Sequence, residues 1–277
     1  MGGIAIQTVV LVALDAFGVR GRHPLTYRAA SLVLVLEGGL VVAVLAVVIA
    51  STQLPAGLIL WRLSPGPVLV AIVWAVGLLL LQRAGRGLPW QESGEAPDNQ
   101  DPPRGHSQQK ATQRQLSTAK SAAIFAIAAL VTLVAGVTLE RSGDAIAGHI
   151  GLSGVLFGAT VLAAATSLPE LSTGLTSVKN GDYQLAMSDI FGGNAFLPVL
   201  FLLATLLSST AVLPRAQNTD IYLTALGSLL TVVYIAGLVL RPTRRVARMG
   251  LDSLVVLVLY AIGVAGLFAI AAGSAGS

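Results

Sequence analysis

Long runs almost free of charge limit what this chain can become. They fall near Arg28–Ala50, Gly66–Leu81, Ser121–Leu139, Leu152–Val178, Tyr183–Leu207, Tyr222–Leu240 and Leu251–Ala272. A helix of about 20 such residues crosses the hydrocarbon core of a bilayer. Lipid offers no partner to an unpaired backbone group, so only helices and closed barrels can span it. The expected fold class is all-α: a polytopic transmembrane helical bundle with seven full spans. The second run is the shortest, and Leu54–Arg62 before it either extends it or lies at the interface. Ile4–Phe17 is apolar but short, and is expected as a short N-terminal helix. Composition agrees, with 11% of the 277 residues charged against about 25% in an ordinary globular domain.

Several function classes drop out early. There is no cysteine, which removes disulfides, thiolate metal sites and thiol catalysis. Met1-Gly2-Gly3-Ile4 has neither the basic segment nor the cleavage site of a signal peptide, so none is expected. An enzyme is not expected: there is no His-Glu-x-x-His or Gly-x-Ser-x-Gly, and His23, His106 and His149 fall in loops or at span edges. A pI near 9.8 could suggest nucleic acid until the basic residues are placed. With all eight stretches crossing, Arg20, Arg22, Arg28, Arg83, Arg86, Arg104, Lys110, Arg114, Lys120, Lys179, Arg241, Arg244, Arg245 and Arg248 share one side, and Arg62, Arg141 and Arg215 the other. That asymmetry is a topology signal. It predicts a cytoplasmic linker, both termini outside and no nucleic-acid partner; the location expected is the plasma membrane, and the partners expected are the lipid bilayer and inorganic cations.

The linker is 84–120, rich in Gln, Gly, Pro, Ser and charge and expected to be loosely ordered. It divides the chain into 1–83 and 121–277. The halves share a faint repeat: Gly2-Gly3-Ile4-Ala5-Ile6 and Gly192-Gly193-Asn194-Ala195-Phe196 each open an apolar run that leads to a basic loop and a long span. In the assigned topology the copies run in opposite directions, as in inverted-repeat transporters.

Charge inside a bilayer costs about 2.5–3.5 kcal/mol on insertion scales, so each buried acid needs a reason. Glu170 has the richest setting. Thr166 and Ser167 stand one turn before it, and Pro169 lacks an N–H and clashes with the Ala165 carbonyl. Two hydroxyls, a carboxylate and freed carbonyls form an all-oxygen set suited to hard cations. The competing reading is a proline kink in which Glu170 serves packing alone. Asp189 shares a helix face with Gly193 and Leu197, with Gly192 and Gly193 permitting close helix packing; it is either a second acidic ligand or an interfacial residue. Glu37 is a proton site or a packing residue. Ser172, Thr173, Thr176 and Ser177 are polar positions that commonly bond back to the preceding turn.

The segments Gly158–Leu171, with its Ala165-Thr166-Ser167-Leu168-Pro169-Glu170 core, and Ala186–Phe196 resemble the alpha-repeat of the sodium/calcium exchanger (cation/Ca²⁺ antiporter) superfamily. The resemblance implies an antiporter moving Ca²⁺ or another cation against Na⁺ or H⁺ by alternating access, with no cofactor beyond the transported ion, Ca²⁺ or Na⁺. It implies cation binding by Thr166, Ser167, Glu170, a backbone carbonyl near Ala163, and Asn194, with Pro169 kinking the helix. This sequence has Gly193 where the family has serine, Leu197 where it has a polar residue, and Asp189 where it has asparagine. The acidic ligand is therefore expected to have moved toward the cytoplasm, leaving Glu170 and Asp189 as the metal carboxylates.

The resemblance also implies that 1–83 is a remnant of the first repeat, holding the end of helix 3 and helices 4 and 5. Residues 121–277 would be a complete second repeat of five helices. No Thr-Ser-x-Pro-Glu element precedes residue 84, and Gln7 stands at the position matching Leu197. The expectation is an N-terminally truncated exchanger: the start has been placed too late, the gene is shortened, or another chain supplies the missing helices. The alternative is a non-transporting remnant or assembly subunit.

Overall fold

The computed structural model describes residues 2–59, 61–87, 118–150 and 154–275. Its helices are α1 (Gly2–Ala13, continued by a π turn, Leu14–Gly18), α2 (Leu25–Ala29), α3 (Leu32–Ser51), α4 (Pro65–Ala84), α5 (Thr118–Ile150), α6 (Gly154–Phe157), α7 (Ala163–Thr166), α8 (Leu168–Lys179), α9 (Tyr183–Phe196), α10 (Leu200–Ser208), α11 (Asn218–Leu240) and α12 (Leu251–Ala275). Among the described residues six helices are long and apolar enough to cross a membrane, and Gly2–Gly18 is a shorter apolar one. The all-α polytopic bundle is as expected. The linker reading for 84–120 lies, apart from its ends, outside the described residues.

Helix ends follow local chemistry. The Ser31 side chain accepts from the Val33 amide and starts α3. Pro65 opens α4, where a missing N–H costs nothing. Residues 54–59 and 61–63 form turns, and Trp61 and Arg62 take left-handed φ of 51° and 66°. Leu54–Arg62 therefore does not extend that span. A reciprocal cap between Gln217 and Asp220 begins α11, and Arg241, at φ 50°, ends it by donating to the Gly237 carbonyl. α5 has 33 residues, about 50 Å at 1.5 Å per residue. It runs well past Leu139, and Glu140 lies inside it.

The run Leu152–Val178 is not one continuous helix. It comprises α6, a π turn (Gly158–Leu162), α7 and α8, with the break at Ser167 (φ −93°, ψ 1°). The span expected there, fourth of the seven, is thus two half-helices meeting end to end.

The core sits where α1, α3, α9 and α11 pack together, around Leu11, Val41, Leu45, Phe191, Leu230 and Tyr234. Lipid tails are as apolar as leucine, so helix association in a bilayer relies on van der Waals packing and polar contacts rather than on the hydrophobic effect. Both are present. A Cβ at Gly2 would lie 2.6 Å from the Ala159 Cα, so α1 meets the π turn backbone to backbone. At the other end of α1, buried Asp15 accepts from the Leu25 amide (2.9 Å), the Gly250 amide (2.6 Å) and the Ser253 hydroxyl (2.8 Å). That carboxylate joins α1, α2 and the start of α12.

Candidate cation site

The site forms where α1 crosses the junction of α7 and α8 and the adjoining α9. The break at Ser167 controls its chemistry. Pro169 occupies the first turn of α8, where proline is tolerated, so it starts a new helix rather than bending an old one. Ser167 and Glu170 have the spacing of a reciprocal cap, yet the Ser167 side chain makes no cap bond. Its hydroxyl turns back and donates to the Ala163 carbonyl at 2.8 Å. The Thr166 hydroxyl lies 3.0 Å from both the Leu162 and Ala163 carbonyls. Each hydroxyl has one proton, and giving it to a carbonyl leaves its lone pairs free to accept.

Glu170 lies in the first turn of α8, where the helix dipole favours a carboxylate. Its Oε1 accepts from Gln7 Nε2 at 3.0 Å. Its Oε2 is buried without a partner, and so is Gln7 Oε1. The next residue of α1, Thr8, accepts from Asn194 Nδ2 at 3.2 Å, leaving Asn194 Oδ1 buried and unpartnered. Consecutive residues of α1 thus bind the Glu170 carboxylate on α8 and the Asn194 amide on α9. Buried acceptor oxygens without donors are costly, and here they are gathered around one helix.

Asp189, on α9, meets α8 at Thr173, one turn along from Glu170. Its Oδ2 accepts from Thr173 Oγ1 at 3.2 Å, and both residues are exposed. Thr173 and Thr176 also reach back to backbone carbonyls of the preceding turn. Among the described residues no three acidic or histidine side chains cluster, and the groups that touch Glu170 and Asp189 are the neutral side chains of Gln7 and Thr173.

Gly192 and Gly193 do not serve the close packing expected of them. A Cβ on Gly192 would meet nothing within 4 Å, and one on Gly193 only Gln7 Oε1 at 3.9 Å. Close approaches occur at other glycines, Gly2, Gly38 and Gly174 among them, and Gly193 faces the Gln7 amide instead.

The sequence reading passed over two contacts. Gln7 is the side chain nearest Glu170 in function, and the one available signal was its alignment with Leu197, where the related family carries a polar residue. Glu37 Oε1 accepts from Ser188 Oγ at 3.0 Å while its Oε2 is buried and unpartnered. That ties α3 to α9 beside Asp189.

The family model of the sodium/calcium exchanger protein matches residues 120–269, more than half of the chain. A protein of Alkalimonas amylolytica named for antiporter activity, CaxA, is 33% identical over 103 residues, 36% of this chain and 32% of that relative. The inner membrane protein YrbG of Escherichia coli (strain K12) is 32% identical over 95 residues, 34% of this chain and 29% of its own length. The aligned part covers about a third of each relative. No solved structure matches.

Proposed function

The chain belongs to the sodium/calcium exchanger protein family, and from that premise we propose that it works in a membrane cation antiporter, exchanging Ca²⁺ or another cation against Na⁺ or H⁺ by alternating access. The observation that carries this reading is the Glu170 carboxylate, with one buried oxygen free, set at the junction of two half-helices. At such a junction the C-terminal carbonyl end of one half-helix attracts a cation. Thr166 and Ser167, their protons committed to backbone carbonyls, contribute lone pairs. Turning the Gln7 amide over would replace its N–H at Glu170 with its unpartnered oxygen, and Asn194 Oδ1 stands one α1 residue away.

The same reading assigns 1–83 to a first repeat, 84–120 to a cytoplasmic linker and 121–277 to a second repeat; the family match over 120–269 supports the last. The exposed Thr166, Thr173 and Asp189 leave the site open on one side. Helices of another chain are the partner that would close it there. The arginine and lysine asymmetry supports an orientation with both termini outside, and the location proposed is the plasma membrane.

One carboxylate balances a monovalent ion and two balance a divalent one. Flux into vesicles carrying the purified chain, compared for Ca²⁺, Na⁺, K⁺ and H⁺, tests the reading. Asp189→Asn is expected to reduce Ca²⁺ movement more than Na⁺ movement. Unchanged cation affinity and pH dependence in this variant would remove Asp189 from the site, and absence of flux for every ion would sink the antiporter proposal.

A further inference from the structure

A second feature of the molecule lies away from the cation site, at the turn between α11 and α12. Residues Arg245–Val246 (β1) and Met249–Gly250 (β2) pair antiparallel, with Val246 opposite Met249. Ala247 and Arg248 close the hairpin at φ 51° and 71°. Two consecutive left-handed residues define a type I′ turn, which strongly prefers Asn-Gly or another glycine pair. A β-carbon at each position makes this conformation costly, and such strain is held only where the surroundings enforce it.

Arg245 supplies the enforcement. Its guanidinium donates to the carbonyls of Val19 (3.2 Å), Gly21 (3.0 Å) and Asp15 (2.8 Å), and also to the carbonyl of Arg248. One side chain therefore fastens the hairpin tip to the segment following α1. The result is a single surface that presents Arg20, Arg22, Arg244 and Arg248, all exposed. Among the described residues none of these four guanidinium groups has a hydrogen-bond or ion-pair partner. The nearby acids, Asp15 and Asp252, are buried beneath it. Beside the arginines the surface turns apolar: Val239 and Leu240 at the end of α11, Val246, and Leu251 at the start of α12 are 61%, 78%, 48% and 53% exposed.

We propose that this surface binds an anionic phospholipid, whose phosphate lies between Arg244 and Arg248 with Arg20 and Arg22 at its rim, and whose acyl chains follow Val239, Leu240 and Leu251. Four uncompensated arginines call for negative charge, and the planar guanidinium matches phosphate oxygens two at a time. The adjoining apolar strip selects a lipid over a free anion. The hairpin serves this ligand by holding exposed Arg244 and Arg248 close together in the chain at one tight turn. The inference stands independently of which ion the protein moves.

The test uses the full chain in vesicles of phosphatidylcholine with and without phosphatidylglycerol, with retained lipid read by native mass spectrometry. The wild-type chain is expected to retain phosphatidylglycerol in preference. Arg244→Gln with Arg248→Gln should weaken that preference about thirtyfold, from about fivefold per arginine. Arg83→Gln with Arg86→Gln, which removes exposed charge at the end of α4, should leave it intact. Ala247→Asn with Arg248→Gly supplies the residues the turn favours, so the hairpin should fold at least as stably while the preference still falls several-fold. The proposal is overturned by an unchanged preference in the Arg244/Arg248 variant, by an equal loss in the Arg83/Arg86 variant, or by inorganic phosphate displacing the lipid at equal concentration.

Discussion

Helix α1 meets one carboxylate at its middle and carries another just past its C-terminal end, and the two are treated in opposite ways. At the π turn, Asp15 has a donor on both oxygens: the Leu25 amide on Oδ1, and the Gly250 amide and Ser253 hydroxyl on Oδ2. Arg245 stands 3.9 Å from Oδ1. Two turns away, Gln7 satisfies one oxygen of Glu170 and leaves the other buried without a partner. Both acids have oxygens shut away from solvent, where an unmet acceptor is expensive. A carboxylate whose acceptor sites are filled by its own chain has nothing left to offer an ion, and it works as a fastener. A carboxylate left half-filled retains binding capacity, at a cost in stability that a ligand can offset.

Exchanging the two acids should separate these roles. Asp15→Asn puts an amide N–H where the protein already supplies donors, and should cost about 3–5 kcal/mol of stability, read as a lower melting temperature in detergent. Flux per folded molecule should be retained. Glu170→Gln should do the reverse, lowering cation flux about a hundredfold with a melting temperature close to that of the parent. If Asp15→Asn removed flux at unchanged stability, the contrast between fastener and ligand would collapse.

A finer cut is Gln7→Leu. It keeps the bulk of the side chain and removes its only recorded bond to Glu170, so apparent cation affinity should change about tenfold. An equilibrium binding titration would show this, and an unaltered isotherm would confine Gln7 to packing. The smallest expected effect belongs to Gly193→Ser. Its new Cβ would make ordinary contact with Gln7 Oε1 at 3.9 Å, so the fold should accept it. The added hydroxyl should shift affinity by about threefold or less. A clear drop in melting temperature would instead show that Gly193 is sterically required.

The fold was legible wherever one segment carries its own physics. Apolar length marked the spans, α4 among them. The Thr166–Glu170 stretch announced a break at membrane depth. The break proved to be a restart at Ser167 because Pro169 suits the first turn of a new helix. Gly192 and Gly193 misled, because a paired glycine in a membrane helix reads as a packing surface whether or not another helix arrives. Ser167 and Glu170 have the spacing of a cap, but the Ser167 cap bond is unformed in space. Each of those two side chains has a better partner elsewhere, Ser167 in Ala163 and Glu170 in Gln7.

By itself, then, the sequence determined that this chain is a bundle of membrane helices with an oxygen-rich interruption at residues 163–170. Those properties follow from apolar length, proline geometry and the cost of charge in lipid, all of which act over a turn or two. Only the tertiary structure decided which acid is saturated and which is open. Asp15 draws its donors from residues 25, 250 and 253, and Glu170 draws its one donor from residue 7. Hydrogen-bond satisfaction depends on groups brought together across the whole chain, and no local pattern encodes it.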